Sequence, residues 1–334
     1  MRKIYIGILI AMICAGCQSK RDLFENAQMT PQTVKIIRFD SAFVGLDTTQ
    51  MSESVDKLYK EYPDFMPYFT SDLLGLENKD SLVAVLPKFL TDTTLKIQQM
   101  LKDEQSLFAD ISDIQRETNE AFTRLKYLFP DMSVPDIYLY VSGFVSPVYF
   151  PSEGVIGIGA DMYLGSDYPA YAQLAYEYQK QNMRKECVVG DAISAYLFRS
   201  LPFNGRQNRL LDHMIYHGKI MYLLDQILPE EKEEQIIGYS REQWTWCVDH
   251  ERAIWQRIMD KRDLFQTESI VLTSYMNDGP FTSEVSQDSP GRLGSWVGWR
   301  IVENYMNTNE DVTMQALLDN DDAQQILENS HYKP

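Results

Sequence analysis

His213 and His217 stand four residues apart in the run Arg209 to Gln226. That spacing puts two imidazoles on one face of a helix, where they can share a zinc ion. On a 3.6-residue wheel His217 falls inside the apolar arc with Leu210, Met214, Met221 and Leu224, and His213 lies at its edge. Glu251 offers a third ligand. It sits on the apolar face of the run Ser240 to Lys261, among Trp244, Cys247, Val248, Ile254, Trp255 and Ile258. A carboxylate there is costly unless it is paired or bound to metal. The group that would activate a zinc-bound water is missing, however. Peptidases of the H-E-x-x-H type place a Glu after the first His, and here that position is Met214, whose thioether cannot take a proton. The simpler assignment packs both histidines as core or hydrogen-bonded groups and pairs Glu251 with Lys219, Arg292 or Arg300. On that assignment no catalytic, cofactor-binding or metal residue is expected, and His213, His217 and Glu251 remain the metal candidates.

Other stretches carry weaker chemistry. Gly154-Val-Ile-Gly-Ile-Gly159 has the glycines of a phosphate loop but lacks the G-K-[ST] ending and sits in a β pattern. No G-x-S-x-G elbow presents a serine nucleophile. Gly294 and Gly298 leave a bare helix stripe flanked by Trp296 and Trp299, which suits tight packing better than a binding surface. Cys187 and Cys247 lie in or beside apolar helical runs, where free cysteine packs as a small hydrophobe; a disulfide between them is the lesser alternative.

The cysteine with assignable chemistry is Cys17. Met1-Arg2-Lys3 makes a positive start, an apolar run follows from Ile4 to Ala15, and Ala15-Gly16 precede the cysteine. Charge, apolar stretch and small residues are the parts of a secretory signal, and the run is too short to span a bilayer. A cysteine directly after the small pair marks a lipoprotein, acylated on its thiol and cleaved to begin there. Cys14 occupies a position where Leu is commoner. The expected organisation is therefore a signal peptide over 1–16, a lipidated polar tether over 17–33, and one helix-rich domain over 34–334. The membrane is the partner reached through Cys17.

The rest of the sequence supplies the frame. Lys35 to Phe39, Asp136 to Val141 and Gly154 to Tyr163 read as strands, the last two joined by a hairpin or loop. Helices are expected at Ser52 to Tyr62, in pieces from Asp80 to Phe129, and at Val188 to Arg199, Arg209 to Gln226, Ser240 to Lys261 and Leu293 to Met306. The fold class is α+β, mostly helical with a small central sheet. Lys and Arg number 31 against 48 Asp and Glu, a net charge of −17, and losing Arg2 and Lys3 with the signal makes it more negative. Such a chain repels phosphate backbones, so nucleic acid is excluded as a partner.

Several residue groups, in their order along the chain, resemble the GldB family of gliding-motility-associated lipoproteins of Bacteroidetes-type bacteria. They are Ile37-Arg-Phe-Asp40, Tyr62-Pro-Asp-Phe65, Asp161-Met-Tyr-Leu-Gly165, Met214-Ile-Tyr216 with Gly218-Lys219, and Ile237-Gly-Tyr-Ser240. Further along come Trp246 with Glu251 and Trp255, Pro290-Gly-Arg292, Gly298-Trp-Arg-Ile-Val302 and Tyr332-Lys-Pro334. The resemblance implies a non-catalytic cell-envelope lipoprotein linked to surface motility or secretion machinery, acting through other envelope proteins. It also implies a remote likeness to zinc-peptidase folds without a complete active site, in which Gly154 to Tyr163 would be the edge strand. His217 departs from the acidic residue usual in the family. Without an acidic cluster after Cys17, the expected location is the outer membrane, facing the periplasm.

Overall fold

The computed structural model describes residues 21–94 and 96–334; the expected signal peptide and Cys17 lie outside the described residues. Four strands form one sheet in the order β1-β2-β4-β3: β1 (Ile36–Arg38), β2 (Asp136–Tyr140), β3 (Val148–Tyr149) and β4 (Val155–Gly159). The β1–β2 and β2–β4 pairs are parallel, with Ile37 opposite Tyr138 and Ile137 opposite Ile156. The two long β-rich runs therefore do not form a hairpin with each other. The antiparallel partner of β4 is β3, Val148 opposite Ile158, in the connection between them. Nor is β4 an edge strand, since β2 and β3 occupy its two sides.

Successive side chains of a strand point to opposite faces, and β2 uses both. Tyr138 and Tyr140 enter a smaller core, whereas Ile137 and Leu139 enter a larger one. The smaller core is covered by α1 (Phe39–Val44), α2 (Met51–Glu61), α3 (Met66–Tyr68), a π-helical turn (Phe69–Leu73), α4 (Lys79–Leu90) and α5 (Ile97–Leu107). Its centre is aromatic: Phe65 stacks on Tyr138 with centroids 4.4 Å apart, and Phe39 meets Phe65 and Phe69 edge-on at 4.9 and 5.0 Å.

The larger core lies under α6 (Ser112–Leu128), α8 (Val188–Ser200), α9 (Leu210–Ile227), α10 (Glu233–Ile237) and α11 (Arg241–Lys261), while the short α7 (Glu177–Lys180) buries no residue. The same core continues through α12 (Ser269–Met276), α13 (Leu293–Thr308), α14 (Met314–Asp319) and α15 (Ala323–Ser330). The α11 start follows from its capping box: Ser240 Oγ accepts from the Gln243 N–H at 3.2 Å, and Gln243 Oε1 accepts from the Ser240 N–H at 2.9 Å. At the centre, α9 is apolar around most of its circumference, as a fully enclosed helix must be. It runs against α13 at close backbone range. A Cβ on Gly298 would lie 1.8 Å from the Met214 carbonyl oxygen, and one on Gly218 would lie 2.2 Å from the Gly298 carbonyl oxygen. Trp296 and Trp299 beside this contact are 0% and 2% exposed. The glycine stripe thus serves packing.

The polar segment before the domain is not a free tether throughout. From Leu23 it lies on α9 and α6: the Leu23 N–H donates to Gln226 Oε1 at 3.2 Å, and the Gln32 N–H to Thr123 Oγ1 at 2.9 Å. Phe24 supplies the reason. Its ring is buried against Tyr127, with the Arg124 guanidinium 4.8 Å from its centroid. Burying such a ring contributes about 1.5–3 kcal/mol, and Val34, Leu23, Ala27 and Met29 pack on the same core.

Candidate functional site

The metal candidates do not converge. Among the described residues no group of three or more His, Cys, Asp or Glu is placed to hold a metal ion. His213 stacks on Phe203, centroids 4.3 Å apart, and its Nε2 pairs with Asn208 Oδ1 at 2.8 Å. His217 turns inward, as the helical wheel requires, and its Nδ1 lies 3.0 Å from Ser295 Oγ near the start of α13. Glu251 is taken up elsewhere. Its Oε1 accepts from the Tyr332 hydroxyl at 2.9 Å and lies 3.4 Å from Arg300 Nε, so Arg300 is the counter-ion among the three expected. Lys219 is spoken for too: its buried ammonium donates to the Asn320 carbonyl at 2.5 Å, and burial lowers its pKa to about 8. The likeness to a zinc-peptidase site fails on these placements, because each expected ligand is held by a different neighbour.

What does form around His217 is a polar cavity of about 150 Å³, lined among others by Asp191, Ser194, His217, Glu231, Arg292 and Ser295. That volume is enough for several water molecules. The helices α8, α9 and α13 supply the walls, and Gly238 with Ile237 closes one side. Asp191 accepts a hydrogen bond from the Tyr163 hydroxyl at 3.0 Å. Burial raises its carboxyl pKa to about 6, and burial likewise raises that of Glu231 to about 7. Burial, reinforced by the charges of His213 and Arg292, lowers the His217 pKa to about 4 and keeps the ring neutral. Arg292 is locked by its Nη2 on the Ile237 carbonyl at 2.6 Å, with Asp278 3.4 Å from its Nε.

This arrangement can hydrogen-bond a small polar group or a cluster of water. A neutral imidazole beside a hydroxyl can also move a proton, but nucleophilic catalysis further needs an acid orienting the ring and donors for an oxyanion. Among the described residues no carboxylate hydrogen-bonds to His217; its ring packs instead on Phe198, centroids 5.0 Å apart. Sequence reasoning found His217 and missed Asp191. The signal was a lone carboxylate in the apolar run Val188-Val-Gly-Asp-Ala-Ile193.

Most of the residues that carry the family resemblance hold the fold. Arg38 forks onto Asp40 and donates to the Phe108 carbonyl at 2.6 Å. Asp161, fully buried, accepts from the Phe144 and Ser142 N–H groups at 2.7 and 3.2 Å and so fixes the turn after β2. The Tyr239 hydroxyl donates to the Gly291 carbonyl at 2.6 Å, and Trp255 meets Tyr332 edge-on at 5.2 Å. The two free thiols, Cys187 and Cys247, are not bonded to each other.

No helix among the described residues is long and apolar enough to cross a membrane. Comparison with curated proteins and with solved structures gives no match. The family model for the gliding motility protein GldB matches residues 20–334, nearly the whole chain. The chain belongs to the family of the gliding motility protein GldB.

Proposed function

We propose that this protein is a lipid-anchored component of the gliding-motility apparatus that works by binding other envelope proteins and catalyses no reaction. The near-complete family match over residues 20–334 carries this reading. Supporting it, the three peptidase-like ligands are each engaged by separate neighbours. The anchor in this reading is lipid on Cys17, supported by the Ala15-Gly16-Cys17 sequence. Stable attachment takes more than one acyl chain, which a multiply acylated cysteine provides. The location is the periplasmic face of the outer membrane.

Crosslinking in intact cells followed by detergent extraction tests the reading. Specific envelope proteins should co-purify with the native chain, and deletion of the protein should abolish surface movement. Purification of the chain alone after crosslinking, together with unchanged motility in the deletion strain, would refute it. Labelled palmitate should enter the native chain and not Cys17→Ser. Protease shaving of intact cells should leave the domain uncut.

A further inference from the structure

The segment that enters the domain at Arg21 fixes where a lipid at Cys17 can be. The Val34 N–H donates to Asn119 Oδ1 at 2.8 Å, and the Gln32, Phe24 and Leu23 contacts seat the chain back toward its start. At the outer end, Arg21 Nη1 lies 3.4 and 3.5 Å from the carbonyl oxygens of Met306 and Asn309. These lie at the C-terminal end of α13, where the helix dipole favours a cation. Gln226, the partner of Leu23, is one residue from the C-terminal end of α9. Both central helices therefore present their C-terminal ends where the segment arrives.

From Cys17 to Arg21 is four residues, and a fully extended chain covers at most ~3.6 Å per residue, or about 14 Å in all. The other end of α9 is much farther away, since Leu210 is separated from Gln226 by about 24 Å at 1.5 Å per residue.

We propose that the end of the domain formed by the C-terminal ends of α9 and α13 faces the lipid bilayer, held there by the docked segment 21–34 acting as a short strap. The inference rests on the lipidation of Cys17 proposed above. The occupant of this face is the bilayer surface itself. Arg21, Lys232 and Arg241 share a shallow hollow here with Asp22, Glu233 and Glu234, a mixture of charge that suits zwitterionic headgroups. The strongly acidic chain as a whole has no net attraction for an anionic membrane, so the strap rather than charge sets the orientation.

The test uses the full lipidated protein on phosphatidylcholine vesicles carrying quencher lipids. A fluorophore is placed on a cysteine introduced at Glu310 or at Gln207, in a background of Cys187→Ser and Cys247→Ala. Quenching at Glu310 should be several-fold stronger than at Gln207. A Gly/Ser insertion of 12 residues between Lys20 and Arg21, with an average reach of about 20 Å, should erase that difference while the protein still floats with vesicles. Equal quenching at the two sites in a floating, uninserted chain would overturn the orientation and leave the anchor standing. If the native chain fails to float, or Cys17→Ser floats equally well, the anchor falls and the orientation with it.

Discussion

Replacing Gly298 by Ala asks α9 and α13 to separate. The new Cβ would sit 1.8 Å from the Met214 carbonyl oxygen, 2.4 Å from its carbon and 3.0 Å from its Cα. All three are backbone atoms, so no side chain can rotate away. Ordinary contact begins at 3.4 Å, so the helices must part by about 1.6 Å. Trp296 and Trp299 stand beside this seam with almost no exposure, and any opening loosens their contacts. Overpacking of this kind costs roughly 1–3 kcal/mol, with backbone clashes at the upper end or beyond. Against it, Ala is better than Gly in a helix by about 1 kcal/mol. The net expectation is a loss of about 2 kcal/mol or more, lowering the urea midpoint by roughly 0.7 M if the slope is about 3 kcal/mol/M. Gly190→Ala is the matched control, because a Cβ there meets nothing within 4 Å. It should stabilise the protein by about 0.5–1 kcal/mol. Urea unfolding of both variants followed by circular dichroism decides the matter. A Gly298→Ala midpoint equal to that of the parent, alongside a raised Gly190→Ala midpoint, would sink the argument that close backbone approach requires the glycine.

Three further expectations concern charge and the strap. The folded His217 pKa of about 4 lies below the free value of 6.5, so its contribution is present above pH 6.5 and is lost as pH falls toward 4. Between pH 7 and 4.5 the parent should lose about 2–3 kcal/mol more than His217→Asn, read from unfolding free energies at the two pH values. Glu104 behaves in the opposite sense: burial and the neighbouring Asp40 raise its pKa from 4.5 to about 8, so its contribution is present below pH 4.5 and lost as pH rises toward 8. Glu104→Gln should therefore gain on the parent by roughly 1 kcal/mol per pH unit across that window, and parallel pH profiles would contradict it. Phe24→Ala should free the strap locally, making trypsin cleavage at Arg21 and Lys35 several-fold faster with little change in the global urea midpoint; unchanged cleavage would show that Phe24 does not seat the segment.

Local pattern was enough to find most elements. The 3.6-residue spacing of Leu210, Met214, Met221 and Leu224 and the capping residues Ser240 and Gln243 place α9 and α11 within a residue or two of their observed limits. Strand partnership was not legible. Whether Asp136 to Tyr140 folds back on Val155 to Gly159 or runs parallel to it depends on what the intervening 14 residues do, and the short β3 leaves almost no periodic signal. The strap was misread for a related reason: in a segment polar by composition, Leu23 and Phe24 are too few to form a pattern, yet they bind a site built by distant helices. For the site, the inward turn of His217 could be read from one helix, as could the need of Glu251 for a partner. The cavity could not, because its walls come from α8, α9, α10 and α13, and their meeting is a property of packing.

The alternating side chains of β2 have a mechanical meaning. Ile137 and Leu139 are seated in one core while Tyr138 and Tyr140 are seated in the other, so neither core can melt without exposing residues on the strand that also anchor its neighbour. The two should therefore come apart in a single transition, with the amides of β2 among the slowest to exchange with solvent. Residues 39–107 should not survive on their own, since the wall against which their aromatic cluster is built belongs to a later part of the chain. A ribosome must have delivered Tyr140 before the first hundred residues have anything on which to close.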